Sequence, residues 1–273
     1  MEHEYYLERF SGVGRLYGER QLEMLAQSHF MVVGVGGVGS WSAEALARSG
    51  VGHITLIDDD DISASNMNRQ LHTLDSTVGR PKVAVLAERL AEINRHLCCQ
   101  IQQQRMTISN IGEFLPLLTE ESRSEKRVDG VIDAVDAIAV KAALIYHCRR
   151  NKIAVITSGA AGGVVDPRQI TLADLSRTEN DPLAAKVRAL LRREYGFSSN
   201  PKRRFGVECV YSTESCRYPT AEGGVSHARP GVAGLSLDCS LGYGASVAIT
   251  AIFGMMAAGR LLHRFLERAE VRA

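Results

Sequence analysis

The stretch His29-Phe30-Met31-Val32-Val33-Gly34-Val35-Gly36-Gly37-Val38-Gly39-Ser40 constrains this chain more than any other. Phe30 to Val33 is an apolar run that reads as a buried strand, and Trp41 to Arg48 resumes with helical periodicity. Between them lie Gly34, Gly36, Gly37 and Gly39, a G-x-G-x-x-G pattern with one extra glycine. Such glycines let phosphates approach the backbone, and the following helix aims free N–H groups and its positive dipole end at an anion. Glycine-rich strand-to-helix turns also arise from packing alone, so the context decides. A second apolar strand, His53 to Ile57, ends in Asp58, nineteen residues after Gly39, where a ribose-binding acid belongs. The turn is expected to bind a nucleotide.

The rest of the chain alternates strands and helices. Residues 5–27 read as helix-loop-helix broken at Phe10-Ser11-Gly12-Val13-Gly14, with Arg9 and Arg15 flanking the break as a solvated pair. Helices are expected over Lys82–Asn94, Ile111–Leu118 and Lys141–Arg150, and from Asp181-Pro182 to Tyr195, with a last helix closing the fold. Thr119–Arg127 reads as an exposed connection. Strands are expected over Ile101–Ile108, Gly130–Asp136, Ile153–Thr157, Gln169–Ala173 and Val207–Tyr211. This order predicts an α/β fold: a Rossmann-like, doubly wound, mostly parallel sheet with flanking helices and an N-terminal helical segment. One domain spans 1–273, with a basic helical excursion at about 176–205 and a mobile loop at about 219–234. The stretch Ser158-Gly159-Ala160-Ala161-Gly162-Gly163 is either a hairpin turn or a loop bringing backbone close to substrate.

Several polar residues cluster at the expected strand ends. Asp58 to Asp61 are four successive acids where α/β sheets place their ligand crevice. Asn66 and Arg69 are three apart, so a helical turn puts them on one face, from which Arg69 could fork onto phosphates. Lys82 opens a helix behind Pro81, and Asp133 and Asp136 close a strand. Lys186, Arg188, Arg192, Arg193, Lys202, Arg203 and Arg204 form a basic run that is either a solvated face or a phosphate-binding surface.

With 32 Lys and Arg against 31 Asp and Glu, net charge gives no reason to expect nucleic acid, so any basic surface must be local. Six cysteines, none in a C-x-x-C pair, argue against structural zinc and for a reducing compartment. The acidic, polar N-terminus does not read as a secretory signal, and a cytoplasmic protein is expected. Residues 239–258 carry no charge and could meet an inner membrane, but their glycines, serines and threonine suit close packing in an α/β core.

The set Gly34 to Gly39, Asp58, Asn66-x-x-Arg69-Gln70, Lys82 and Asp133-x-x-Asp136 resembles the adenylating domain shared by ubiquitin-activating enzymes and the ThiF/MoeB/HesA proteins, over residues 5–160. The resemblance implies binding of ATP with Mg2+ and transfer of AMP to a carboxylate. It implies that Asp58 holds the ribose, Arg69 and Lys82 the phosphates, and Asp136 the metal, with Asn66 lining the nucleotide site. Two departures stand out. The paired zinc cysteines of many such proteins are absent, and Ala137 replaces the usual asparagine after Asp136. With Arg15-Leu16-Tyr17-Gly18, Ser158 to Pro167, Asp181-Pro182-Leu183-Ala184 and Asp238-Cys239, the chain is most similar to the tRNA threonylcarbamoyladenosine dehydratase branch. That branch implies cyclisation of a threonylcarbamoyl group beside a tRNA anticodon, a homodimer, and a cysteine-desulfurase partner system. The basic run would then meet tRNA backbone. Arg15 and Cys239 join the catalytic candidates, Cys239 as a thioester nucleophile at a helix start. Direct attack by the carbamoyl oxygen is the favoured alternative, because both groups share one small substituent. Rival readings are adenylation of a ubiquitin-like or sulfur-carrier C-terminus, and a redox or nucleotide-sensing protein. The extra glycine, Arg69 and the paired acids disfavour hydride transfer.

Overall fold

A computed structural model describes residues 2–116, 127–220, 222–228 and 244–270. Its centre is a seven-stranded sheet of β1 (His29–Val33), β2 (His53–Ile57), β3 (Cys98–Gln102), β4 (Gly130–Asp133), β5 (Ala154–Ser158), β6 (Ile170–Asp174) and β7 (Glu208–Ser212). The spatial order is β3-β2-β1-β4-β5-β7-β6, with every pairing parallel except β6 against β7. Side chains alternate between two cores. Phe30, Val32, Ile54, Leu56, Ile132 and Ile156 face the layer of α3 (Gly39–Arg48), α4 (Lys82–Ile93) and α8 (Val247–Glu270). Met31, Val33, Val131, Val155 and Cys209 face α6 (Ile138–Arg150) and α7 (Pro182–Glu194), with the short α5 (Ile111–Phe114) beside them. Burial on both faces explains why the strands read as unbroken apolar runs.

The order reverses between β1 and β4, and a doubly wound sheet opens its ligand crevice at that point, beyond the strands' C-terminal ends. Val33 is level with Ile57 on one side and Asp133 on the other. Gly34, Asp58 and Ala134 therefore leave the sheet in one row.

The N-terminal helices differ from expectation. α1 (Glu2–Tyr17) runs unbroken through Gly12 and Gly14, and the break falls at Gly18, whose φ of 106° suits glycine. α2 (Glu19–Gln27) returns close enough that a Cβ at Gly14 would sit 3.3 Å from Leu22. Gly14 thus serves helix–helix approach rather than a turn. β3 lies earlier than Ile101–Ile108, at the sheet edge, where exposure of most of its residues hides the strand pattern. β4 stops at Asp133, so Asp136 belongs to the following turn. Ser158 to Gly163 is no hairpin, because β6 pairs with β7 and not with β5. Part of the expected mobile loop is a small hairpin of β8 (Tyr218–Pro219) and β9 (Val225–Ser226), and residues 229–234 lie outside the described residues.

α8 packs on α3 as well as on the sheet. A Cβ at Gly254 would meet the Val38 carbonyl at 2.5 Å and Trp41 at 2.8 Å, and Ser42 Oγ donates to the Gly254 carbonyl. Gly254 serves that approach. Among the described residues, no helix is long and apolar enough to cross a membrane.

Candidate nucleotide site

The glycine turn divides into packing positions and open ones. Gly34 has φ 82°, and a Cβ there would meet the Ala134 carbonyl at 2.8 Å. A Cβ at Gly39 would collide with the Gly34 carbonyl, so both positions fix how β1 feeds α3. Gly37 packs against Arg69 and Thr250, whereas a Cβ at Gly36 would meet nothing closer than Gln70 Nε2 at 3.7 Å. The amides of Gly36, Gly37, Val38 and Gly39 donate to no acceptor among the described residues. They stand at the start of a ten-residue helix, a ready site for phosphate oxygens.

Asp58 closes the turn from β2. Its carboxylate accepts from Val35 N at 2.6 Å and from Asp60 N at 2.9 Å. Burial pushes its pKa up, against the pull of the Lys82 charge and these two amides. Lys82, at the first turn of α4, is buried and donates to Asp60 Oδ2 at 2.7 Å. Asp59 pairs with Arg105, and carboxylate oxygens of Asp58, Asp59 and Asp60 lie within 4.8 Å of one another.

The segment carrying Arg69 is held from three sides. Its carbonyl accepts from Trp41 Nε1 on α3 and Thr250 Oγ1 on α8, and Asn68 donates to the Ala245 carbonyl. The Arg69 guanidinium uses Nη1 on the Ser65 carbonyl and Asn68 Oδ1, leaving the rest of its fork for a ligand. Asn66 is spent differently: its Oδ1 accepts from Ser63 N and shapes the turn. Sequence spacing gave no sign of that local use. Gln70 Oε1 is buried beside Gly36 without a partner. His72, also buried, has both ring nitrogens unpartnered, and burial with the Lys82 charge lowers its pKa to about 4. No sequence signal marked His72, since a lone histidine in a turn has no recognisable spacing.

Asp133 and Asp136 have separate fates. Asp133 is sealed, paired with Lys141 Nζ at 2.9 Å and accepting from Thr157 Oγ1 at 2.6 Å. It does not face the crevice. Asp136 is exposed in the turn between β4 and α6, and no trio of metal-ligating side chains includes it among the described residues.

Other candidates lie apart. Arg15 is exposed in the last turn of α1, a helix anchored by Tyr6 on the Gly50 carbonyl and by Arg9 on the Ile93 carbonyl. Those anchors are the far ends of α3 and α4 from the crevice. Asp238 and Cys239 lie outside the described residues, and α8 begins at Val247. In the basic run, Arg188 turns inward onto Thr178 Oγ1 and Arg192 stacks over Phe205, while Arg193 pairs with Glu194. Lys186, Lys202, Arg203 and Arg204 are exposed. α7 starts at the crevice edge, where Asp181 accepts from Ala160 N just beyond β5. It runs ~20 Å toward the opposite edge, where Phe205 and Gly206 donate to Asp174. The exposed triplet 202–204 therefore sits at the end of the sheet away from the glycine turn.

A Rossmann-like switch-point crevice with free turn amides, a buried lysine and an arginine defines a nucleotide-phosphate-binding protein. The chain belongs to the ThiF family, whose model matches residues 11–272. It is 44% identical over 263 residues to the tRNA threonylcarbamoyladenosine dehydratase of Escherichia coli (strain K12), covering 96% of this chain and 95% of that protein. The crystal structure of E. coli TcdA in complex with ATP superposes with a TM-score of 0.83 at 41% identity, covering 98% of this chain and 97% of that one. The molybdopterin-synthase adenylyltransferase of E. coli is 35% identical over 139 residues, covering 51% of each.

Proposed function

We propose that this chain is an ATP-dependent tRNA threonylcarbamoyladenosine dehydratase, a single adenylating unit over its length. The observation that carries the reading is similarity to a dehydratase along almost the whole chain. Similarity to the molybdopterin-synthase adenylyltransferase covers only half of it. The site fits ATP: four free amides, Lys82 and Arg69 offer donors to the phosphates, Asp58 an acceptor, and Gln70 an unsatisfied carbonyl. Mg2+ is assigned to Asp136, where it would neutralise phosphate charge. Six cysteines without paired spacing leave structural zinc out of the reading.

The chemical demand is activation of a carboxylate whose hydroxide is a poor leaving group. In adenylation a carboxylate oxygen bonds to the α-phosphorus of ATP and pyrophosphate departs. The carbamoyl oxygen then bonds to the carboxyl carbon, AMP departs, and the carbamoyl nitrogen loses its proton. The protein holds the phosphates rigidly while charge moves between oxygens, which is electrostatic preorganisation. Ring closure needs no protein nucleophile, and Cys239 is left as an alternative. A folded Cys239→Ser protein is expected to retain cyclisation within a few-fold of wild type.

A homodimer is part of the reading, since Arg15 is anchored away from its own crevice and could serve only a second copy's. A cysteine-desulfurase system and a cytoplasmic setting belong to it as well. The exposed cations Lys186, Arg193, Lys202, Arg203 and Arg204 are assigned to tRNA backbone. Neutralising Lys202, Arg203 and Arg204 should reduce the salt slope of tRNA binding by about two to three and leave ATP affinity unchanged. The decisive test is mass spectrometry of nucleosides from threonylcarbamoylated tRNA incubated with enzyme and ATP. A mass loss of one water, with AMP and pyrophosphate released, supports the reading; unchanged nucleoside overturns it.

A further inference from the structure

A cavity of about 340 Å3 opens between the start of α7 and the turn after β7. Its volume is within the range of pockets that take small ligands. Asn180, Pro182 and Ala185 line one side; Ser215, Tyr218 and His227 line the other, with Arg188 between. The neighbouring framework is stiff. Asp181 spends both carboxylate oxygens on the Ala184 and Ala160 amides, and Gly159 lies so close that a Cβ there would collide with it. Asn180 donates to the Thr213 carbonyl from a left-handed backbone at φ 55°. Such conformations recur where a binding wall must be held.

The position matters as much as the volume. Ala160 follows β5 and Thr213 follows β7, so the cavity shares the edge on which the glycine turn lies. From β1 to β7 are three strand spacings, ~14 Å. A nucleotide's phosphates and the side chain of a bound nucleoside could share that span.

We propose that this cavity receives the modified adenine base of the RNA substrate, swung out of its strand, with its carboxylate-bearing side chain directed along the sheet edge to the glycine turn. The assignment rests on the proposed reaction. A base in an RNA loop must leave its stack before an enzyme can work on a substituent, and pockets for such bases combine a stacking surface with hydrogen-bonding groups. Tyr218 offers the ring, Pro182 and Ala185 an apolar floor. Asn180, Ser215 and His227 offer donors and acceptors for a neutral heterocycle and its urea-like link. Arg188 commits one nitrogen to Thr178 and keeps further N–H groups for the ligand. The basic residues 202–204 lie at the opposite end of the sheet and would contact backbone elsewhere.

The test fills the cavity from either side with Ala185→Trp and Ser215→Trp, and removes the ring with Tyr218→Ala. Three quantities are read: binding of free N6-threonylcarbamoyladenosine in the presence of a non-hydrolysable ATP analogue, kcat/KM for cyclisation on tRNA, and the rise in Tm caused by ATP. Filled variants should bind the nucleoside at least tenfold more weakly and show a tenfold higher KM for tRNA, while ATP raises Tm as in wild type. Wild-type nucleoside binding and kcat/KM in both filled variants would overturn the cavity assignment and leave the reaction standing. Nucleoside binding that the tryptophans abolish, in a wild-type protein that yields no cyclic product, would overturn the reaction and leave the cavity standing. A wild-type protein that neither binds the nucleoside nor turns over tRNA overturns both.

Discussion

Two lysine–aspartate pairs stand at the C-terminal edge of the same sheet, and they differ in one respect. Lys141 and Asp133 are both sealed, 2% and 0% exposed, and Asp133 is further held by Thr157 and the Val135 amide. Lys82 is almost as buried at 6%, but its partner Asp60 is 54% exposed. In the first pair Lys141 donates to both the carboxylate and the backbone carbonyl of Asp133, and neither partner can release the other without stranding a buried charge. In the second, Asp60 can turn to water and, on the proposed function, hand Lys82 to an incoming phosphate. A buried cation with a dispensable partner is suited to anion binding; a buried cation with an indispensable one holds β4, β5 and α6 together.

Asp133→Ala leaves Lys141 uncompensated and should cost ~3–5 kcal/mol of unfolding free energy, read by urea denaturation. A loss below ~1 kcal/mol would show that the sealed pair is not structural. Lys82→Ala should lower ATP–pyrophosphate exchange by ~10²–10³-fold in a protein that still folds. Exchange at the wild-type rate would remove Lys82 from phosphate binding.

The third test uses His72, which burial and, less strongly, the Lys82 charge hold neutral, with its pKa lowered to about 4. Unfolded, it would titrate near 6.5, so its contribution is intact above that pH. It is lost as pH falls through the folded value, and by pH 4 this is roughly 3 kcal/mol. His72→Gln should flatten the stability profile between pH 6.5 and 4, and an unchanged profile counts against the burial of His72 in the fold. Smallest is Asp60→Asn, expected to change stability by less than ~1 kcal/mol, because the pair is open to water on the acid's side. A larger loss would make the two pairs alike.

The sequence made the sheet, the switch point and the glycine turn readable, because strand runs buried on both faces and a glycine-rich turn leave strong local patterns. It also placed Asp58, Arg69 and Lys82 in one crevice. It did not distinguish Asp133 from Asp58, since each follows an apolar strand and their difference depends on Lys141 and Thr157, partners supplied from α6 and β5. Asn66 reads as a ligand residue from its spacing, and the fold adds that its Oδ1 holds its own turn. The basic run read as one surface. Helix periodicity turns Arg188 inward and Arg192 onto Phe205, and only the fold shows that its exposed end is remote from the crevice.

The contact of α8 with α3 sets a timetable. Thr250 packs at Gly37 and donates to the Arg69 carbonyl, and Gly254 lies against the start of α3. The glycine turn is encoded well before the α8 residues that back it, which leave the ribosome later. A nascent chain that has already formed β1 and α3 would expose the apolar face that α8 later covers. Capacity to bind ATP should then arise abruptly once residues 247–262 have emerged, rather than growing with length. Stalled chains ending before and after that stretch, probed for nucleotide crosslinking, would show the step.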